Sequence, residues 1–253
     1  MHGGRAPFGL DQPAVRAIAA GEGETVLKRR TWILAAVALA VAGVGGVAVL
    51  KARAASVEDA FQTDADAKRV ADVHEIAELV EAYRARTGKP PFADRARRAE
   101  HGDYTVIIGA PKAEQALMSE GNPLGREDPA AGAVDLGREL RAVLGGDGSL
   151  PIDPQRAPTG GSPNVYYLRV KSNGQYLVAG FLRRPDARAT PVAPGIWAYA
   201  LRSEAGAWGA PIWNQARTLA QIPPEERKAI AKAGEEATAK FARYARTRSD
   251  PPT

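Results

Sequence analysis

The chain has 253 residues, a formal net charge of +5, and 45% hydrophobic but only 6% aromatic residues. It contains no cysteine, which excludes disulfide bonds, thiol catalysis and cysteine-ligated metal sites. Its lysines and arginines are spread along the chain in blocks of at most three, without an aromatic-rich basic stripe or a known binding module. Nucleic acid is therefore not an expected partner.

An uncharged run of nineteen residues, WILAAVALAVAGVGGVAVL, extends from Trp32 to Leu50. As a helix it would span roughly 28 Å, close to the hydrocarbon thickness of a bilayer, about 30 Å. A helix satisfies its own backbone in lipid, and this run lacks the polar face that a helix in a soluble core usually keeps. We therefore expect a transmembrane helix over residues 32–50, with a buried core helix as the alternative.

Basic residues on the two sides of this run predict its orientation. The N-terminal side carries Arg16, Lys28, Arg29 and Arg30, and the C-terminal side carries Lys51 and Arg53. Because the more basic side stays in the cytoplasm, residues 1–31 are expected to form a cytoplasmic tail. The rest of the chain, after residue 50, would then lie outside the cytoplasmic membrane.

Two further features concern the same run. Ala38, Ala42 and Gly46 repeat every four residues, a spacing that permits close helix packing in a membrane. A small-x-small triplet ends at Ala54, which is typical of a secretory cleavage site. Because the apolar run exceeds the usual signal-peptide length, we expect an uncleaved anchor, with cleavage after Ala54 as the alternative.

The segment after the anchor, residues 51–88, predicts a stalk helix continuous with it. Its first half is polar and is expected to protrude near the membrane. Its second half has an apolar stripe at spacings of three and four, and Gly88 with Pro90 and Pro91 would end the helix. The stripe consists of Val73, Ile76, Val80 and Tyr83.

An α+β domain is expected over residues 89–222, followed by a C-terminal helix and a disordered tail over 223–253. The predicted elements are a strand at 104–109, helices at 111–120 and 128–144, a hairpin of strands 164–171 and 176–183, a second hairpin within 196–213 that turns near residues 204–206, and a helix from 223 to about 246. The first hairpin is the clearest, because Asn173-Gly174 favours a type I′ turn.

Residue types that could support chemistry do not combine into a motif. His2, His74 and His101 are far apart, and His74 with Glu75 and Glu78 is expected on a solvated helix face. The glycine-rich stretch at 145–148 is expected to be a turn rather than a phosphate or calcium loop. No catalytic residue, cofactor or metal site is therefore expected. Trp197, Trp208 and Trp213 are either core residues or a partner surface.

Two stretches carry a resemblance to a known family. DAKRVADVHEIAELVEAYRARTGKPP, at 66–91, places a tyrosine on the last helical turn before Thr-Gly and a proline. RELRAVLGGDGSLPIDPQR, at 138–156, gives a helix and a Leu-Pro-x-Asp-Pro loop before a tyrosine-rich hairpin. In this order they resemble type IV pilins and the major pseudopilin of type II secretion systems. The resemblance implies a long N-terminal helix packed against an antiparallel sheet, here with an extra C-terminal helix.

The junction KRRTWILAAV departs from the family pattern, because it lacks the glycine at the prepilin cleavage site and the glutamate that follows it. The resemblance therefore implies an untrimmed, non-catalytic accessory of a secretion, pilus or other envelope assembly. It also implies a single-pass protein of the bacterial inner membrane, with the C-terminal domain in the periplasm. Its expected partners are membrane lipid and other envelope proteins, with self-association as a further option. The alternative is an anchored periplasmic ligand-binding or hydrolytic domain, which would need a pocket with convergent carboxylates near Asp147 and Asp153.

Overall fold

A computed structural model describes residues 58–109, 130–155, 164–204, 208 and 215–249, with side chains up to residue 243. All of these except residue 58 belong to one compact unit, Asp59–Thr253. Within this described part of the chain, no helix has the length and hydrophobicity to cross a bilayer. The predictions that lie outside it concern the tail charges Lys28, Arg29 and Arg30, the anchor from Trp32 to Leu50, the packing residues Ala38, Ala42 and Gly46, cleavage at Ala54, and the helix at 111–120.

The described chain is α+β, as predicted, and it has the predicted C-terminal helix. Helix α1 is described from residue 58 to residue 87. The elements that follow are α2 (Ala93–Arg98), β1 (Asp103–Ile108), β2 (Ala130–Gly132), α3 (Ala133–Leu144), β3 (Tyr166–Lys171), β4 (Tyr176–Leu182), β5 (Thr190–Ala193), β6 (Ile196–Arg202), β7 (Arg217–Thr218), a 3₁₀ turn (Leu219–Gln221) and α4 (Pro224–Ser249).

The strands form one mixed sheet in the order β2-β1-β3-β4-β6-β5, with β7 also beside β6. The expectation of an antiparallel sheet is corrected here, because β1 pairs with β2, and β6 with β7, in parallel. A parallel pair needs a connection of about a dozen residues or more. Residues 109–129 and 203–216 provide connections of 21 and 14 residues for these two pairs.

One predicted element differs in the structure, and another lies mostly outside the described residues. The turn and return strand of the second hairpin fall in 204–213, of which only 204 and 208 are described; the described strand β6 pairs with β4 on one side and with β5 and β7 on the other. The helix predicted from residue 128 begins at Ala133, since residues 130–132 are strand β2. The carboxylate of Asp135 accepts the backbone N–H of Gly132 at 3.4 Å, which favours the start of α3 at this point.

The predicted β3–β4 hairpin is confirmed, with a different turn. Lys171 N–H donates to the Gln175 carbonyl at 2.8 Å, and Gly174 N–H donates to the Lys171 carbonyl at 3.0 Å, which closes a three-residue loop. Only Gly174 in this loop has a positive φ, 81°. The turn is therefore a three-residue connection with a left-handed glycine, instead of the type I′ turn, in which both central residues have positive φ.

Helix α1 packs its predicted stripe on one face of the sheet. Val73, Ile76 and Val80 are completely buried there, and Tyr83 is 7% exposed. Gly180 of β4 allows the close approach, because a Cβ atom at this position would lie 3.1 Å from Cγ2 of Val73. As predicted, the helix ends before Gly88, whose φ is 76°.

Helix α4 packs antiparallel along α1. Its buried positions follow the spacing of a helical stripe and consist of Ile230, Gly234 and Ala237. Phe241, one turn later, meets Phe61 edge-on at 5.1 Å between ring centroids. Lys240 forms an ion pair of 2.6 Å with Asp64. Late residues of α4 thus contact early residues of α1.

Candidate functional site

Three tyrosines on the α1 face of the sheet have hydroxyl groups bonded to polar side chains of α1. The pairs are Tyr166 to Asp72 at 2.5 Å, Tyr176 to Glu81 at 2.7 Å and Tyr199 to His74 at 2.7 Å. Each tyrosine is at most 1% exposed and comes from a different strand, β3, β4 or β6. Burial raises the pKa of all three phenols, so the hydroxyls remain protonated. These bonds fix the rotation of α1 over the sheet.

A buried ionic cluster surrounds Arg69 of α1, whose side chain is 0% exposed. Its Nε and Nη2 atoms donate to the two carboxylate oxygens of Asp153 at 2.7 and 3.1 Å. Its Nη1 atom donates to Asp66 at 2.7 Å. Burial by itself would lower the pKa of Arg69, but the bonds to Asp153 and Asp66 outweigh burial and raise it. The guanidinium therefore stays charged and joins α1 to the loop after α3.

Asp66 extends this cluster to the segment after β4. Its carboxylate accepts the backbone N–H groups of Arg183 and Arg184 at 2.9 to 3.0 Å. Asp66 and Arg69 belong to the polar first half of the stalk, which the sequence predicts to be exposed. That expectation is wrong for them, because both are buried in the ionic cluster.

The carboxylates suggested for a hydrolytic site do not act together. Asp153 is 1% exposed and is held by Arg69. Asp147 lies in an exposed turn, where its carboxylate accepts the Ser149 N–H and hydroxyl at 2.9 Å each. These bonds lower the pKa of Asp147. Gly145, Gly146 and Gly148 around it all have positive φ, which agrees with the predicted turn.

His74 is buried, although the sequence places it on a solvated helix face. It is 5% exposed, and its Nδ1 atom has no hydrogen-bond partner among the described residues. Burial lowers the pKa of His74 to about 4, and the charges of Arg188, Arg217 and Arg227 add to this effect, so the ring is neutral at pH 7.

Glu75 and Glu78 are exposed, and they line the same groove between α1 and α4 as His74. Within the described ranges no group of three or more His, Asp or Glu side chains is placed to hold a metal ion.

The three tryptophans do not form one surface in the described part of the chain. Trp208 is 1% exposed and packs with Leu177 and Ala198 on the sheet face opposite α1, which is the core alternative of the prediction. Trp197 is half-buried and packs against the main core. Trp213 lies outside the described residues.

The exposed side of α4 is a candidate contact surface. We call it the α4 outer face and define it by Lys228, Lys232, Glu235, Glu236 and Ala239, all of which are exposed. The ion pair of Lys232 and Glu236 is long, at 3.9 Å, and its side chains are 77% and 61% exposed. This face is mixed in charge and faces away from the stripe that packs on α1.

Sequence reasoning missed Arg69, Asp66 and the tyrosine hydroxyl bonds. One signal was present, because the alternation in β3 places Tyr166 on the same sheet face as Leu168 and Val170. A second was the spacing of three between Asp66 and Arg69, which allows an ion pair on a helix. Neither signal indicates that the partners are buried.

No protein-family model, curated protein or solved structure matches the chain. The likeness to pilins therefore depends on the two sequence stretches, and a functional proposal has to be argued from the geometry of the described residues.

Proposed function

We propose that this chain is a non-catalytic, single-span membrane protein of the bacterial envelope. Its pilin-like ectodomain acts through protein–protein contacts in a secretion, pilus-type or other envelope assembly. The observation that carries the proposal is the position of α1, which forms the centre of the core while only residues 51–57 separate its described part from the apolar run. An anchor helix followed at once by a core helix is the arrangement that the pilin resemblance implies.

The contacts of the polar groups also support a structural function. Asp153 is bound to Arg69, Asp72 to Tyr166 and Lys68, and His74 to Tyr199. A general acid or base needs access to substrate, and these groups are instead bonded to partners within the core. The exposed polar groups of the α4 outer face are available for contacts with another protein.

Thiol labelling tests the topology. The natural chain has no cysteine, so Thr25→Cys and Glu235→Cys each introduce a unique thiol in the tail and on α4. In spheroplasts, a membrane-impermeant maleimide should label Glu235→Cys at once and Thr25→Cys only after lysis. Labelling of both variants in detergent is the control for reactivity. Labelling of Thr25→Cys in intact spheroplasts, or recovery of the protein in the soluble fraction, would contradict the proposal.

Photocrosslinking in cells tests the contacts. A photoreactive residue at Lys232 of the α4 outer face should give a discrete adduct with an envelope protein or with a second copy. The matched position Ala237 is 1% exposed and should give none. Absence of adducts from positions 228, 232 and 236 would contradict a contact function through α4.

A further inference from the structure

The turn between β3 and β4 contains an asparagine followed by a glycine, Asn173-Gly174, and this is the only such pair in the sequence. The other three asparagines precede proline, valine or glutamine. Because glycine has no Cβ atom, its backbone nitrogen is the least hindered nucleophile that can follow an asparagine side chain. Asn173 is exposed to water, whereas Asn164 is only 6% exposed. The turn thus brings together a carboxamide, an unhindered backbone nitrogen and water.

The side chain of Asn173 is folded back on the backbone that follows it. Its Oδ1 atom accepts the N–H of Gln175 at 3.0 Å, a bond from a side chain to the backbone two residues on. This bond turns the carboxamide toward Gly174, whose nitrogen lies in the backbone between the two bonded groups. The same N–H points at the oxygen on which negative charge develops when a nucleophile adds to the carboxamide carbon. A donor in this position stabilises the addition, as in an oxyanion hole.

One hydrogen bond opposes a reaction at this position. The N–H of Gly174 donates to the carbonyl of Lys171 at 3.0 Å, and this bond has to open before the nitrogen can react. The net contribution of one such bond corresponds to a factor of about ten or less in an equilibrium constant. Exposed turns also open locally without unfolding of the core. The bond therefore slows a reaction of the Gly174 nitrogen without preventing it.

We propose that Asn173 is a modification site at which the chain modifies itself through a succinimide. The nitrogen of Gly174 loses its proton to a base in solution and attacks Cγ of Asn173. The new bond from nitrogen to Cγ closes a five-membered ring. The bond from Cγ to the side-chain nitrogen breaks, and this nitrogen takes a proton from water and leaves as ammonia. Water then opens the ring, so the net reaction converts an amide and water into a carboxylic acid and ammonia, without a change of oxidation state.

The two directions of ring opening give different products. Opening at the side-chain carbonyl gives aspartate, and opening at the backbone carbonyl gives isoaspartate, whose main chain is one methylene longer. Both products add a negative charge to the turn. The longer main chain also disturbs the bond that closes the loop, from the Lys171 N–H to the Gln175 carbonyl at 2.8 Å. The modification alters the end of the hairpin, away from the α4 outer face, so this inference goes beyond the proposed function.

Peptide mass spectrometry of the full chain in detergent tests the proposal, with the chain unfolded in guanidinium chloride as the reference. Both samples are incubated at mildly alkaline pH, and the conversion of each asparagine is followed over time. Asn173 should convert faster than the other three, at a rate within about tenfold of its rate in the unfolded chain. The product should include isoaspartate, because direct hydrolysis of the amide gives only aspartate. A slower rate, faster conversion of another asparagine, or aspartate as the sole product would overturn the proposal.

Two variants assign the reaction to the amide of residue 173. Asn173→Gln should lose the conversion at this position, because the larger ring that glutamine would have to form closes more slowly. The side chain is exposed, so the variant should remain folded. Ser172→Ala, at the neighbouring exposed position, is the matched control and should convert Asn173 at the wild-type rate. Conversion that persists in Asn173→Gln, or that is lost in Ser172→Ala, would overturn the proposal.

Asp147-Gly148 provides a comparison within the same chain. Oδ1 of Asp147 accepts the N–H of Ser149 at 2.9 Å, which is the same bond to the backbone two residues on. The bonds from Ser149 lower the pKa of Asp147, so its carboxylate is ionised and is a poor target for a nucleophile. Isoaspartate should therefore form more slowly at Asp147 than at Asn173. Equal rates at the two positions would overturn the role assigned to the amide.

Discussion

The substitution Arg69→Met should destabilise the protein strongly, because it removes a completely buried cation from its ion-pair partners. The variant leaves Asp153, 1% exposed, without its bidentate partner and Asp66 without one of its donors. Breaking a buried ion pair by removing one partner typically costs about 3–5 kcal/mol. Asp66 keeps two backbone N–H donors, and Asp153 keeps the N–H of Gln155 at 2.9 Å, so we expect the lower part of that range, about 3–4 kcal/mol.

Chemical denaturation of the full chain in detergent, followed by circular dichroism, measures this loss. The matched control is Arg138→Met, because Arg138 is 75% exposed and bonds to Asp135 at 3.4 Å, and its loss should cost less than about 1 kcal/mol. The double variant Arg69→Met with Asp153→Asn removes one of the uncompensated charges. Its loss of unfolding free energy should therefore be smaller than the sum of the losses of the two single variants, by about 0.5–3 kcal/mol. A loss for Arg69→Met that is no larger than for Arg138→Met would refute the reasoning.

Three further substitutions test other parts of the structure in the same assay. The folded pKa of His74, about 4, lies below its unfolded value of 6.5, so the unfolded state binds the proton more tightly. As pH falls from 6.5 to 4, the free energy of unfolding should therefore decrease by about 3 kcal/mol more for wild type than for His74→Gln. Equal decreases for the two proteins would contradict a buried neutral histidine. Gly234→Ala should lower the free energy of unfolding by about 1–3 kcal/mol, because its Cβ would lie 2.4 Å from Cβ of Ala71. If that contact is the cause, adding Ala71→Gly to the same protein should restore most of the lost stability. Tyr166→Phe should lower the free energy of unfolding by about 1–3 kcal/mol, because Asp72 stays buried without its hydroxyl donor. The control Tyr167→Phe, on the opposite sheet face, should change it by less than about 0.5 kcal/mol. Similar costs for both would argue against the hydroxyl bond.

Local patterns in the sequence predicted the elements that local physics determines. The stripe of Val73, Ile76 and Val80 follows the helical period, and Gly88 ends α1 where only a residue that tolerates positive φ fits. Asn173-Gly174 located the hairpin, although the loop length decided the turn type. Pro223-Pro224 located the start of α4 to within one residue.

Features that depend on distant parts of the chain were not predictable in this way. β1 pairs in parallel with β2, and β6 with β7, after long connections whose path no turn motif encodes. Arg69 and Asp153 are 84 residues apart, and each is a residue type that is usually exposed, so neither pattern nor composition indicates that they meet in the core. His74 was misassigned for the same reason, because its partner Tyr199 is 125 residues away.

The intact mass of the native protein, recovered from carbonate-washed membranes, tests the proposed membrane anchor most directly. An uncleaved anchor predicts a mass that still includes residues 32–54 and the tail before them. A mass that matches a chain beginning at residue 55, found in the soluble fraction, would contradict the proposed anchor. A chain trimmed near Trp32 would contradict the inference that this protein escapes prepilin-type processing.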